Sequence, residues 1–359
     1  MFILHIGRNK AGSTTLQGYL SAHKQAMRRA GVVVPKLVRP PPAGHQFWAR
    51  SLRAHAGRQM ADRDEYRAAF AVLAARPAAD RYFISSEFLL SVEPVHVRAL
   101  AAELAAHPVR IVLYLRDYPS WALSIYSQMT KKGENADDFD TLFDRLRGNQ
   151  LAQFPGQLAA WADAFGDAAM HIRSLDPGVL KDGDLVEDAL SAAGLDRATV
   201  AAHSGTDEDA ADERRNVSPP WAAIEMARAV AAVLRPFLAA DGGTARHCDD
   251  YRRVIRRVVA WQAELGGDEG RVQYLTPGQF GAAMDRYAAD VALANTRMRG
   301  FAIPVPAAAP PPERPFLPSL EHVPAGQRRG IAERLAGEAF VQALPVDVRA
   351  ALLRRVGGG

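Results

Sequence analysis

Five short strand-like runs, at 2–6, 32–35, 81–87, 109–115 and 170–175, alternate with stretches of helical periodicity and restrict what this chain can fold into. The run Val109 to Leu115 is apolar except for Arg110, and Phe2 to Ile6 is nearly as continuous. A strand that is apolar along its whole length is buried on both faces, and strands separated by helices pair in parallel through crossovers. The expected fold class is therefore α/β, a three-layer α/β/α arrangement around a central parallel sheet.

Between the runs, Leu16, Tyr19, Leu20 and Met27 recur at helical spacing, with Gly31 as the C-terminal stop of one helix. Tyr66, Phe70 and Leu73 mark a second helix, Leu100 and Leu104 a third, and a fourth starts near Asp117 with Pro119 in its first turn. After about Asp182 the pattern is almost wholly helical, so the second half of the chain is expected to be largely helical. Proline recurs at 304, 306, 310–312, 315 and 318, a density that sustains neither helix nor central strand. The expected division is one α/β domain over 1–302, with a ligand-binding sheet core at 1–180 and a mostly helical portion at 181–302. A Pro-rich linker follows at 303–318, then a helical tail over 319–359 patterned by Ile331, Leu335 and Phe340.

Composition narrows the function classes. With 359 residues, 48% hydrophobic and 23% charged, the chain is a folded globular protein rather than a low-complexity or disordered one. Its 44 basic and 40 acidic residues leave a formal charge of +4, and they are interleaved rather than gathered in a stripe, which argues against a nucleic-acid partner. The single Cys248 excludes an intrachain disulfide framework and a multi-cysteine metal site, and fits a reducing compartment. The apolar stretch at the N-terminus is too short for a signal peptide, and no run of 18 apolar residues follows. A cytoplasmic protein without membrane insertion is expected.

The chemistry begins where the first run turns into the first helix. Gly7-Arg8-Asn9-Lys10-Ala11-Gly12-Ser13-Thr14-Thr15 packs glycines, a lysine and three hydroxyls into one turn. Glycines let backbone N–H groups approach an anion, a helix N-terminus adds free donors with partial positive charge, and hydroxyls add more. The bland alternative is a tight connection with a capping serine. The turn departs from the nucleoside-triphosphate pattern G-x-x-x-x-G-K-[ST], because Ser13 follows Gly12 and the lysine lies two residues before it. A lysine so placed approaches a bound phosphate from another side, where it neutralises charge on a bridging or leaving oxygen, and no metal is then required.

The segment from His5 to Gln17 resembles the 5′-phosphosulfate loop of sulfotransferases that use 3′-phosphoadenosine 5′-phosphosulfate (PAPS), in the bacterial carbohydrate-type branch. The family core Lys-[Ser/Thr/Ala]-Gly-[Ser/Thr]-[Ser/Thr] is matched by Lys10 to Thr14. A second segment, Tyr114 to Ser124, resembles the family's 3′-phosphate motif, a strand ending in arginine (Arg116) with a serine (Ser124) eight residues later. Such spacing puts the serine about two turns into the following helix, where a hydroxyl and a guanidinium can meet one phosphate. The resemblance covers about residues 1–130 and continues weakly through Arg214-Arg215-Asn216-Val217-Ser218; the Arg-Lys-Gly and Gly-Asp-Trp segments of the small-molecule branch are missing, and Arg214 or Arg215 is the substitute it offers.

The resemblance implies a P-loop NTPase-like fold and transfer of a sulfuryl group from PAPS to a hydroxyl of a carbohydrate or other hydroxylated metabolite. It implies donor binding by Lys10, Ala11, Gly12, Ser13, Thr14, Thr15, Arg116, Ser124 and Arg215. Lys10 acts in catalysis, and Glu87 or His45 takes the proton of the acceptor hydroxyl. Glu87 follows the third run and so projects from the sheet edge where ligands of open α/β sheets bind, while His45 lies in the loop after the second. His5, inside the first strand, is read as a core group or one that orients the loop. Trp48, Tyr118, Trp121 and Tyr126 are candidates for an acceptor or adenine pocket, or plain core. Two further readings stay open: an ATP- or GTP-dependent kinase or hydrolase whose magnesium Asp117 would hold, and a non-catalytic binding module that keeps a nucleotide fold.

Overall fold

The computed structural model describes residues 1–37, 44–52, 63–76, 81–149, 154–204, 219–240, 245–265, 274–297 and 319–358. In chain order the elements are β1 (Phe2–His5), α1 (Ser13–Ala22), α2 (Lys24–Arg29), β2 (Val32–Val33), α3 (Gln46–Ser51), α4 (Arg63–Ala74), β3 (Arg81–Ser85), α5 (Pro94–Glu103) and β4 (Val109–Leu115). There follow α6 (Tyr118–Lys131), α7 (Phe139–Asn149), α8 (Phe154–Phe165), β5 (Met170–Ser174), α9 (Leu185–Ala192) and α10 (Arg197–Ala202). The remainder is helical: α11 (Trp221–Ala240), α12 (Ala245–Glu264), α13 (Pro277–Arg297), α14 (Ala325–Ala336), α15 (Ala339–Gln342) and α16 (Val346–Gly357).

All five expected strands form, and they make one parallel sheet in the order β2-β3-β1-β4-β5. The chain is α/β with a largely helical second half, as its pattern predicts. β1 lies between β3 and β4, with His5 paired to Ser85 on one side and Val112 on the other. From β1 the chain proceeds to β2 at one edge, from β4 to β5 at the other, so the crevice between them is the switch point where open parallel sheets bind ligands.

The chain separates into two compact units, each assembled from several stretches: 1–117, 151–216 and 285–308 in the first, and 118–150, 217–284 and 309–359 in the second. This partition differs from the expected division at the Pro-rich run. In the second unit Leu320, Val323, Ile331, Leu335 and Leu352 share one apolar core with Met226, Val230, Leu234 and Val258 of α11 and α12. The apolar face that patterns 319–359 is thus buried against those helices. The Pro-rich run itself, 303–318, lies outside the described residues.

In the first unit the sheet carries helices on both faces. Ile3, Phe83, Val112 and Tyr114 pack with Leu16, Tyr19 and Leu20 of α1 and Val186, Ala189 and Leu190 of α9. On the other face the ring of Phe2 lies 6.0 Å from Phe70 of α4. One expected helix is two: the chain breaks at His23 (φ −100°, ψ 16°), whose ring lies 4.3 Å from Tyr19, and Gly31, at φ 82°, stops α2 rather than α1.

Buried charge ties the far edge of the sheet together. Asp188 of α9 is 4% exposed and accepts from the Tyr114 hydroxyl at 2.8 Å, Arg173 Nη2 at 2.6 Å and the Lys181 amide at 2.9 Å. Burial and the adjacent carboxylate push the Tyr114 phenol far up, so it donates at any ordinary pH. Asp188→Asn keeps an acceptor for Tyr114 but turns an NH₂ group towards two donors, one of them cationic. The expected loss is about 2 kcal/mol in a urea unfolding titration at neutral pH.

Candidate functional site

The loop that leaves β1 is held at both ends. Ile6 donates its amide to Val112 O at 2.9 Å, and the Ala11 amide closes a turn on Arg8 O at 3.1 Å. Lys10 and Gly12 adopt left-handed φ values of 68° and 79°, with Ala11 between them. Alternation of this kind turns successive N–H groups towards one side and forms an anion-binding concavity. Gly12 is the N-cap of α1, its φ of 79° favours glycine, and a Cβ there would stand 2.3 Å from Leu185 Cδ2 and displace that side chain's end. The helix has no side-chain cap and no acidic residue in its first turn. Its N-terminal partial positive charge therefore faces the loop uncompensated by a side chain. Ser13 is buried, while Thr14 and Thr15 are exposed.

Gly7 makes a cradle with two side chains aimed into it. A Cβ on Gly7 would lie 2.7 Å from Ser13 Oγ and 3.0 Å from His5 Nε2. Both of those atoms are buried and have no hydrogen-bond partner among the described residues. A buried unpaired polar atom costs about 1–3 kcal/mol, and two that converge on one glycine mark a place shaped for polar company.

A relay of hydrogen bonds fixes what His5 offers there. Glu87, half-buried after β3, accepts from Gln17 Nε2 at 3.1 Å, which sets the orientation of that amide. The same Nε2 donates to Ser85 Oγ at 3.2 Å, and Ser85 Oγ lies 2.7 Å from His5 Nδ1. With Gln17 donating to it, the Ser85 hydroxyl can donate to Nδ1, and in that tautomer the imidazole carries its hydrogen on Nε2, pointing at Gly7. Complete burial lowers the His5 pKa to about 4, so the ring is a neutral donor. The sequence placed His5 near the loop; it could not show Gln17 and Ser85, which lie four residues past Ser13 and at the end of a different strand.

His45 is corrected as a candidate base. Its Nε2 donates to Pro35 O at 2.8 Å and its Nδ1 accepts from the Ser85 amide at 3.1 Å, so both ring nitrogens are spent on backbone. Burial also lowers its pKa. The ring is a strut: it seats Gly44, whose φ is 77°, close to Gln17, where a Cβ would lie 2.6 Å from Gln17 Cδ. Gln46 then donates to Gln17 Oε1 at 3.0 Å and completes the amide's bonding.

Arg116 leaves the end of β4 and donates from Nη1 to Lys10 O at 3.3 Å, linking the two strand ends on either side of the crevice. Ser124 belongs to the second unit, where it is half-buried on α6. Arg214 and Arg215 lie outside the described residues. Arg8, which the sequence reading passed over, is only 8% exposed, and its guanidinium lies 5.7 Å from the Phe154 ring centroid. Asp117 and Arg8 both act on Tyr287: burial and the aspartate raise its pKa, while the arginine lowers it. Trp48, Tyr118, Trp121 and Tyr126 are core residues, all at most 4% exposed, with Trp48 against Phe70 and Tyr126 against Phe139 and Tyr274.

Compared with known proteins, the chain matches no family model and no curated protein. No helix among the described residues is long and apolar enough to cross a membrane. The residues at the end of β1 can hold an anion by backbone amides, a neutral imidazole N–H and a serine hydroxyl. Glu87 beside them can accept a proton.

Proposed function

We propose that the chain is a PAPS-dependent sulfotransferase of P-loop-like fold, acting on a hydroxyl of a carbohydrate or another hydroxylated small molecule. The observation that carries the reading is the Gly7 cradle, where Ser13 Oγ and His5 Nε2 converge unpaired beneath the uncapped start of α1. The non-bridging oxygens of a phosphosulfate present the acceptors those donors lack. The strand order β2-β3-β1-β4-β5 with its loop after β1 supports the P-loop-like assignment.

Amides from Gly12 to Thr15, with Ser13, Thr14 and His5, hold the 5′-phosphosulfate. Lys10 neutralises the bridging oxygen as the S–O bond to phosphate breaks and the S–O bond to the acceptor oxygen forms. Glu87 takes the acceptor's proton, its carboxylate oriented by Gln17. Arg116 binds the 3′-phosphate, and the products are the sulfate ester and adenosine 3′,5′-bisphosphate. Negative charge builds on the leaving phosphate in the transition state, so the fixed donors of the loop supply most of the acceleration.

Calorimetric titration with adenosine 3′,5′-bisphosphate tests the donor site, with 5′-AMP and magnesium ATP as comparisons. The bisphosphate is expected to bind most tightly and without magnesium. In Arg116→Ala its affinity falls about tenfold, the worth of one charge-assisted hydrogen bond, while 5′-AMP affinity is unaltered. Tighter binding of magnesium ATP would instead assign a kinase or hydrolase.

A further inference from the structure

Beside the candidate site, the first unit carries a cleft of about 420 Å³ whose wall includes Lys24, Arg28, Lys36 and Arg76 and no Asp or Glu among the described residues. All four cations are exposed, and none makes an ion pair with a described residue. Elsewhere in this unit Arg173 pairs with Asp188, Lys181 with Glu187 and Arg197 with Asp184. Four like charges around one concave surface repel each other and focus a positive potential into it. Between them the wall is apolar, with Val33, Val34, Leu37 and Leu73.

The cleft adjoins a second cavity that reaches residues of the candidate site. A smaller cavity of about 110 Å³ shares Lys24, Val34, Pro35 and Lys36 with it and reaches Gln17 and Ser85 at its other end. Those two residues are the ones that orient Glu87 and His5. A molecule lying along both cavities would have one end against Gln17 and Ser85 and its remainder among the four cations.

We infer that this cleft binds an acidic oligosaccharide, placing the anionic groups of the acceptor on Lys24, Arg28, Lys36 and Arg76 while its reacting hydroxyl lies towards Glu87. The inference rests on the sulfotransferase reading for the words acceptor and reacting hydroxyl, and on the cleft alone for the acidic ligand. The aliphatic wall suits the apolar faces of sugar rings. Nucleic acid is the less fitting polyanion, since among the described residues no Phe, Tyr or Trp lines either cavity to stack a base.

Titration calorimetry on the full chain tests it with three probes: hexagalacturonate, uncharged maltohexaose and an oligothymidylate. Hexagalacturonate is expected to bind most tightly, and the triple variant Arg28→Glu/Lys36→Glu/Arg76→Glu to weaken it at least tenfold, with adenosine 3′,5′-bisphosphate affinity kept within twofold. The Gln triple at the same positions weakens it in the same direction and serves if charge reversal disturbs folding, which thermal melts report. Undiminished binding by a folded triple variant, no binding by the wild type, or tighter binding of the oligothymidylate overturns the inference. If the wild type binds hexagalacturonate through these residues but not the bisphosphate, the cleft assignment stands and the donor reading fails.

Discussion

Lys10→Ala is expected to slow sulfuryl transfer by about 10²–10³-fold while changing the affinity for adenosine 3′,5′-bisphosphate by less than about threefold. The asymmetry follows from when the charge appears. In the bound donor the bridging oxygen carries little negative charge; as the S–O bond breaks, the leaving phosphate gains it. An ammonium placed there binds the transition state more strongly than the ground state, so its removal is seen in kcat rather than in Kd. Equal losses in both would show that Lys10 merely holds the donor.

The backbone at Lys10 makes a second comparison possible. At φ 68° the residue is left-handed, which costs a residue with a Cβ about 1 kcal/mol that glycine would not incur. Lys10→Gly is therefore expected to be more stable than Lys10→Ala by about that amount in thermal unfolding, yet equally slow. Restoration of rate in Lys10→Gly would mean that the loop's shape, not the ammonium, is what matters.

The sheet was legible because continuous apolar runs have few alternatives: Val109 to Leu115 cannot be an exposed strand, and it and the four other runs all pair as expected. The loop over residues 7–15 stood out for a similar reason, since its glycines, lysine and hydroxyls are contiguous. The choice between the two candidate bases was not legible. Glu87 and His45 look equivalent in sequence, each following a strand at the same sheet edge, and only tertiary hydrogen bonds separate them: His45 Nε2 and Nδ1 are consumed by Pro35 and Ser85, whereas among the described residues Glu87 meets one side-chain amide. Gln17 and Ser85 were hidden because their role depends on three segments meeting. The location of 319–359 was hidden because its apolar stripe specifies burial without specifying the partner, which proved to be α11 and α12.

His5 connects the stability of the fold to the site, and pH reads the connection. Its pKa is lowered from 6.5 to about 4 by complete burial, so the unfolded chain binds a proton over a range in which the folded chain does not. A depressed histidine contributes stability above pH 6.5 and loses it as pH falls towards 4. Between pH 7.5 and pH 4.5 the loss assigned to this ring is about 2.5 kcal/mol. It is measured as the difference between urea unfolding of the wild type and of His5→Gln at the two pH values; His45, which burial shifts the same way, is present in both and cancels. A phosphate seated in the Gly7 cradle would lie beside the Nε2 hydrogen and favour the imidazolium, raising the pKa of the bound state. Saturating adenosine 3′,5′-bisphosphate is therefore expected to shrink the acid loss in the wild type and leave that of His5→Gln unaltered, apart from the titration of the nucleotide itself, which both proteins share. A wild-type loss that the nucleotide leaves at its full size would place the phosphate away from His5, and would remove the cradle from the site.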